Sequence, residues 1–349
     1  MRGVAGAASP GLRRWGQRRP APKPDSPSSP GLGATTSAKG DPVFAELDTL
    51  FPFRPGLARA RGILVLSAFL LVTLIGIPFQ AAALALRMPR ARRRIPHLYH
   101  RLVCRLFGIR VTVLGTPAAK GHILFVSNHC SWLDIPVLSA VAPLSFVAKQ
   151  EVADWPFFGL LAKLQRSLFI TRERRGEVGR HRDAIRARLE AGDNLVLFPE
   201  GTSSDGNRVL PFKTALFAAA EASDGQGAPP VVQPVSVAYV GRCGLPMERA
   251  ERPFVAWYGD MDLAPHLWDM VRRGPIEAVV ILHPPLRPEA TRSRKDMAAA
   301  AQTLVAEGVA RALAGEAATV EEVWRTMAVG PSNTAEDLAN PPETGEKTI

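Results

Sequence analysis

The chain has 349 residues, 46% of them hydrophobic, enough for one large domain or two ordinary ones with a sizeable core. A net charge of +11 and a pI near 10.2 favour anionic partners, and both nucleic acid and membrane surfaces fit that description. Three cysteines without paired spacing, Cys104, Cys130 and Cys243, argue against a disulfide framework or a zinc site and suit a reducing, cytosol-facing environment.

Residues 1–41 are rich in Pro, Gly, Ser and Arg, show no apolar period and read as a disordered basic tail. Residues 42–109 read as a membrane-anchoring helical region. Within it, "GILVLSAFLLVTLIGIPFQAAALAL", residues 62–86, has no charge and as a helix would run about 37 Å, enough to cross a bilayer core. Pro78 and Gln80 interrupt the run, so a bent helix in one leaflet and a buried core helix stay open beside a full span. Arg54, Arg59 and Arg61 precede it, Arg87, Arg90, Arg92, Arg93 and Arg94 follow it, and no Asp or Glu occurs between Arg87 and Leu133. This excess of Arg after the apolar run favours a cytoplasmic body. The stretch "IPHLYHRLVCRLFG" then places Leu98, Leu102, Leu106 and Phe107 near one helix face, with Arg101 and Arg105 on its polar side, as an interfacial helix would. Next to an apolar segment such a basic helix points to lipid, and no nucleic-acid partner is expected.

From residue 110 to 327, short strand-like runs ("RVTVLG", "HILFVS", "SFVAK", "LFIT", "NLVLF", "VVQPVSVAY", "FVAWYG") alternate with helical ones. The helical candidates are 132–140, 155–164, 179–191, 212–222 and 293–313. That alternation predicts an α/β domain, a mixed sheet flanked by helices, behind the N-terminal membrane-associated helix. Residues 328–349 read as a disordered C-terminal tail.

Two polar turns carry the chemistry. In "NHCSWLD" a helix start follows the strand "HILFVS", with Ser127 or Asn128 available as its cap. Positions five apart on a regular helix are about 140° out of register, so His129 must sit at or before the first turn to reach Asp134. If it does, the carboxylate fixes the imidazole tautomer and makes His129 a general base for an alcohol. Otherwise His129 is solvated and Asp134 is only a first-turn acid favoured by the helix dipole. The second turn, "FPEGTSSDG", ends an apolar strand. Glu200 there could bind hydroxyls or pair with Lys213, and the backbone amides could stabilise an oxyanion.

Together these stretches resemble the lysophospholipid acyltransferase family, which includes the 1-acylglycerol-3-phosphate acyltransferases. Asn128, His129 and Asp134 match its first motif. Phe169, Ile170 and Arg172 match the second, "FPEGT" at 198–202 the third, and Pro234 the fourth, across roughly residues 120–240. The resemblance implies an acyltransferase domain at 110–327. In it, His129, oriented by Asp134, deprotonates the acceptor hydroxyl for direct attack on the thioester of an acyl-carrier protein or acyl-CoA, with no cofactor and no metal. It assigns substrate binding to Arg172, Glu200, Gly201 and Thr202, on a bacterial inner membrane with the catalytic domain facing the cytoplasm. An acyl-cysteine route through Cys130 is disfavoured, because adjacent side chains at a helix start diverge. Where many phosphatidic-acid-forming members carry Arg after Glu-Gly-Thr, this chain has Ser203, then Ser204 and Asp205, and where the second motif often opens with Gly it has Arg166. Those departures make Arg166, Ser203 and Asp205 candidates for acceptor selectivity and favour a headgroup bearing an amine. The longer strings around motifs two and three are similar to the bacterial branch that acylates lyso-ornithine lipid. Lysophosphatidic acid is the alternative acceptor; thioester hydrolysis or membrane binding without catalysis are the other classes considered.

Overall fold

In the computed structural model the described residues are 55–118, 123–171, 178–220, 230–286, 293–317 and 347–348. The expected N-terminal tail and most of the expected C-terminal one lie outside them. Helix α1 (Pro55–Ala85) runs without a break through Pro78 and is followed by helix α2 (Ala91–Phe107), which ends at Gly108 in the left-handed conformation that glycine adopts without strain. Strands β1 (Ile109–Leu114) and β2 (Ile123–Ser127), helix α3 (Asp134–Val141) and strand β3 (Ser145–Lys149) come next. They are followed by α4 (Phe158–Leu164), β4 (Leu168–Ile170), α5 (Val178–Glu190) and β5 (Leu195–Leu197). The chain closes with β6 (Val231–Arg242), β7 (Leu245–Pro246), α6 (Leu263–Arg273), β8 (Ile276–Leu282), α7 (Arg294–Leu313) and β9 (Lys347–Thr348).

The sheet order is β4-β3-β5-β2-β6-β8-β1-β9, with β7 on the end of β6. The strands from β4 to β6 are parallel; β8 is antiparallel to β6 and parallel to β1. Successive side chains of a strand point to opposite faces, so Leu124 and Val126 pack with Ile185 and Leu189 of α5 and Val305 and Val309 of α7, whereas Phe125 faces Leu138 and Val141 of α3. Helices therefore cover both faces, and β2 and β5, side by side and parallel, release their chains at the same end of the sheet.

Several expectations need correction. The run "FVAWYG" is not a strand: Arg252–Phe254 is a 3-10 turn, and beyond it the Trp257 N–H and the Val255 carbonyl bond to the turn after β2. The strand β8 and the helix α6 were not anticipated, and 212–222 holds a 3-10 turn over Thr214–Ala220 instead of an α-helix. The helix after β2 begins at Asp134, not at the histidine, and Ser127 and Asn128 do not cap it. Lys347 and Thr348, placed in the tail, pair with Val113 and Thr112 of β1.

Pro234 lies inside central strand β6, where a missing N–H would leave a carbonyl of the neighbouring strand without its donor. The His283 N–H donates to the Pro234 carbonyl at 3.0 Å, and the buried Gln233 side chain supplies the return bond, its Nε2 donating to the His283 carbonyl at 2.9 Å. On the face of α7, Gly308 lets the helix backbone approach the sheet: a Cβ there would collide with Ser236 Oγ and lie 2.7 Å from His283 Nε2. Ser236 Oγ donates to the Val305 carbonyl at 2.9 Å, so its contact with His283 Nε2 at 2.7 Å has the imidazole as donor and is a structural pair, not a nucleophile with its base. Gly308→Ala is therefore expected to cost about 1–3 kcal/mol as an overpacked position, read as a lower midpoint in denaturant unfolding, with the secondary structure content preserved.

Candidate active site

The turn that leaves β2 is built around Asp134, which is wholly buried. Its Oδ2 accepts from the Cys130 N–H at 2.9 Å, the Ser131 N–H at 3.1 Å and His129 Nδ1 at 2.8 Å, while Oδ1 accepts from the Tyr239 hydroxyl at 2.8 Å. The carboxylate accepts from all of these donors, and the bond to Nδ1 places the ring proton of His129 on that nitrogen. Nε2 is left as the acceptor, on a ring that is 22% exposed. The imidazole stacks on Phe198 with centroids 4.2 Å apart. The spacing that is awkward on a regular helix is met because His129 to Leu133 form an irregular turn ahead of α3.

Asn128 has a different task from capping. Its Nδ2 donates to the Val237 carbonyl at 2.9 Å and its Oδ1 accepts from the Val237 N–H at 2.8 Å, so the side chain acts as one more ladder residue against β6. The Trp257 N–H donates to the Cys130 carbonyl at 2.8 Å and Ser131 Oγ to the Val255 carbonyl at 2.7 Å, which straps the turn from above. Trp132 Nε1 donates to His266 Nδ1 at 3.0 Å and ties the turn to α6.

The turn after β5 locks onto the same histidine. Glu200 is 2% exposed, and its Oε1 accepts from the His129 N–H at 3.0 Å; the Ser204 N–H donates to the His129 carbonyl at 2.9 Å. Glu200 thus turns inward and bridges the two turns through Oε1, and does not pair with Lys213, which is exposed. Gly201 has φ 73, a left-handed value that a side chain would strain, and its N–H closes the turn on the Phe198 carbonyl at 3.2 Å. Thr202 is exposed and Ser203 half-buried at the rim. Asp205 bends onto its own loop, accepting from the Asn207 N–H at 3.1 Å, and Asn207 Oδ1 in turn accepts from Arg252 at 3.0 Å.

Arg166 is not part of this arrangement. It adopts φ 62, a conformation glycine takes without strain, and its two Nη atoms grip Asp193, each at 2.7 Å. Asp193 precedes β5, at the end of the strands opposite His129, so Arg166 cannot select an acceptor at the histidine. Arg172 lies outside the described residues. Cys130 is buried, and burial together with Asp134 and Glu200 pushes its thiol well above the usual range, which disfavours the thiolate a nucleophile needs.

A groove of about 230 Å³ runs between α1, α2, α3 and α4 and is apolar over most of its lining, with Phe69, Ile77, Tyr99, Trp132, Phe146 and Trp155 among its walls. Phe198 stacks on the imidazole and also on Phe146, 6.1 Å away, so one aromatic ring links the groove wall to the histidine. The arrangement offers a fixed base at one end of a slot suited to a long hydrocarbon.

Two functional residues escaped sequence reasoning. Tyr239 supplies a donor to Asp134, and its one signal is a phenol closing the apolar run "VVQPVSVAY"; His266 supports Trp132 from a helix that was not anticipated. Among the described residues, no group of three His, Cys, Asp or Glu side chains is placed to hold a metal ion.

A family model described as Acyltransferase matches residues 108–238. A lyso-ornithine lipid O-acyltransferase of Brucella abortus is 46% identical over 257 residues, 73% of this chain and 96% of that protein. Another lyso-ornithine lipid O-acyltransferase, from Rhizobium meliloti, is 46% identical over 212 residues, 60% of this chain and 72% of that one. A 1-acyl-sn-glycerol-3-phosphate acyltransferase of Neisseria gonorrhoeae is 36% identical over 160 residues, 45% of this chain and 58% of its own.

Burial lifts the Glu200 carboxyl to about 8, the N–H groups of His129 and Leu210 work against that rise, and Asp134 adds to it. The folded chain then keeps a proton that the unfolded chain releases near pH ~4.3, so stability falls as pH rises between those two values. Thermal unfolding followed across this interval should show that fall in the wild type and a flatter profile in Glu200→Gln; an unchanged slope would remove Glu200 as its source.

Proposed function

This chain belongs to the acyltransferase family, of the lyso-ornithine lipid and lysophosphatidic acid type, and on that premise we propose that it transfers a fatty acyl group from acyl-ACP or acyl-CoA to the hydroxyl of lyso-ornithine lipid, giving ornithine lipid. The observation that carries the mechanism is the Nδ1 to Asp134 bond at 2.8 Å, which commits Nε2 to the role of base. Nε2 takes the proton of the acceptor hydroxyl as its oxygen attacks the thioester carbonyl carbon. The tetrahedral oxyanion collapses, the carbon–sulfur bond breaks, and the departing thiolate takes the proton back from the imidazolium. Asp134 keeps its bond to the Nδ1–H as the imidazolium forms and so stabilises it. In the second turn the Gly201 and Ser204 amides are engaged, so those of Thr202 and Ser203 are the donors assigned to the oxyanion. The acyl chain occupies the groove past Phe146 and Trp132.

Membrane association follows from α1, which is long and apolar enough to cross a bilayer. Its buried polar residues, Thr73 and Gln80, face the protein, whereas Arg59 and Ser67 are exposed. Thr73 Oγ1 lies 2.8 Å from the Tyr99 hydroxyl and donates to the Phe69 carbonyl, and Gln80 Nε2 donates to the carbonyls of Arg92 and Leu164. Its apolar residues face outward, Leu64 being 71% and Phe79 64% exposed. Contacts run from Arg61, bonded to the Val271 and Phe107 carbonyls, to Gln80. A helix held along its length by a polar α/β body cannot stand across a bilayer without drawing that body in. The reading it supports is an in-plane helix in one leaflet, with the catalytic domain on the cytoplasmic face of a bacterial inner membrane, in keeping with the Arg excess after α1.

Lyso-ornithine lipid is preferred over lysophosphatidic acid because Ser203 and Asp205 stand at the rim where the phosphate-handling pattern has Arg, and because relatives at 46% identity carry the former name. The alternative acceptor rests on the relative from Neisseria gonorrhoeae. Lipid mass profiling of a deletion strain decides between them. Lyso-ornithine lipid should accumulate, wild type should clear it and His129→Ala should not; unchanged ornithine lipid with depleted phosphatidic acid would reverse the assignment. With membranes containing equal amounts of protein, Asp134→Asn should lower acyl transfer by about 10²- to 10⁴-fold, and product formed without added acceptor as free fatty acid would indicate a thioesterase.

A further inference from the structure

The two oxygens of Asp134 are served unequally. Oδ2 takes three N–H donors from the turn itself, whereas Oδ1, among the described residues, has the Tyr239 hydroxyl at 2.8 Å and the weak Cys130 thiol donor at 3.8 Å. The three N–H donors lie within five residues of Asp134; the phenol comes from β6, 105 positions along the chain. Tyr239 is 4% exposed, and burial, followed by Asp134, pushes its phenol well above the usual range, so the hydroxyl keeps its proton and stays a donor.

Strand β6 is shaped for this contact. Alternation puts Val235, Val237 and Tyr239 on the face toward α3, and Ser236 on the face toward α7. Asn128 pins the catalytic turn to Val237 through both backbone groups. Two residues on, the pairing of β6 with β8 slips: Tyr239 lies opposite Ala278 and Gly241 opposite Glu277, which leaves Val240 as an extra residue. A β-bulge of this kind bends the strand and re-aims the side chains beside it. Gly241 permits it, since a Cβ there would lie 2.6 Å from Glu277 Oε2 and 3.1 Å from the Leu245 carbonyl oxygen. Tyr239 stands one residue past the stretch that the family model matches, 108–238.

We propose that Tyr239 is a positioning residue for acyl transfer: by occupying Oδ1 it fixes the rotation of the Asp134 carboxylate that turns Oδ2 to His129 Nδ1, and it limits how strongly that carboxylate draws on the imidazole proton. The terminal torsion of a carboxylate is broad and twofold, so a group that grips one oxygen directs the other. Removing the hydroxyl leaves Oδ1 buried beside a thiol. Its unmet lone pairs then strengthen the pull on the Nδ1–H and favour the imidazolium over the neutral base. Tyr239 acts through Asp134 and His129, and the inference rests on the reading of His129 as general base.

The test uses the purified full chain in detergent, with acyl-ACP and either lyso-ornithine lipid or lysophosphatidic acid, and follows rate against pH. Tyr239→Phe keeps the ring and loses the hydroxyl. It should lower kcat by about 10- to 100-fold with KM for both substrates little changed, and should move the acid limb of the kcat profile to higher pH. A difluorinated tyrosine at the same position, a more acidic phenol and so a stronger donor, should move that limb to lower pH; it keeps the packing and decides the question where Tyr239→Phe does not fold. Gly308→Ala, destabilised on the face of α7, should keep the wild-type limb. A rate lost in Tyr239→Phe with the acid limb in place, a loss carried by KM, or a limb that ignores the fluorinated residue would overturn positioning and leave the phenol a packing group. If His129→Ala transfers acyl groups as fast as wild type, the reading of the base falls and this inference with it. An inactive His129→Ala beside an unshifted Tyr239→Phe removes Tyr239 alone.

Discussion

A carboxylate with no exposure to water is tolerated only when its lone pairs are met, because desolvating a charge costs several kcal/mol. Asp134 meets this condition with two backbone amides, an imidazole and a phenol, drawn from the turn itself and from β6. Each donor imposes something on the chain. The amides of Cys130 and Ser131 require the turn to coil back before the helix begins, which delays α3 to Asp134. The phenol requires β6 to lie beside β2 in the register that pairs Val126 with Pro234, for that register also brings Val237 to Asn128. The imidazole is then the one donor of the set with a second nitrogen facing outward.

The two turns are coupled through the backbone of the histidine. Its N–H goes to Glu200 and its carbonyl accepts from Ser204, so the residue is gripped from behind while its ring is held by Asp134 and Phe198. β2 and β5 are neighbours in a parallel sheet, and the carboxyl ends of such strands are where turns from distant parts of a sequence meet. A charged residue in a short loop between strand and polar turn suggests a ligand contact; in the folded chain Glu200 is a bracket for the base. The exposed part of the same loop is Thr202, with Ser203 half-buried beside it.

What the sequence made legible follows from range. His129 and Asp134 are five positions apart, so their union is a local matter of turn geometry, and the strands β1 to β6 announce themselves by apolar runs. Tyr239, 105 positions beyond Asp134, has no local signature because its partner is set by strand register. The run "FVAWYG" has strand composition, yet the N–H groups of Phe254, Val255 and Ala256 close on their own turn, and the Val255 carbonyl and the Trp257 N–H go to the turn after β2. Arg166 misled for a conformational reason: at φ 62 the position suits glycine, and an arginine there reads as a functional departure until its bidentate hold on Asp193 is seen. The apolar segment was legible in kind but not in placement, since only the packing shows that Thr73 and Gln80 look inward.

The same strands consequently carry a buried carboxylate at each of their two ends. At the carboxyl ends a buried anion is surrounded by neutral donors and generates one exposed base. At the amino ends Asp193 is held by the guanidinium groups of Arg93, Arg166 and Arg188. Helix α1 lies along the body, reaching α6 near Arg61 and the start of α2 near Gln80, and forms one wall of the hydrocarbon groove. A lipid acceptor needs that placement, because its hydroxyl stays at the headgroup level while its chain stays in hydrocarbon. On the proposed reading, a base fixed by burial needs the membrane brought to it, and α1 would supply the means.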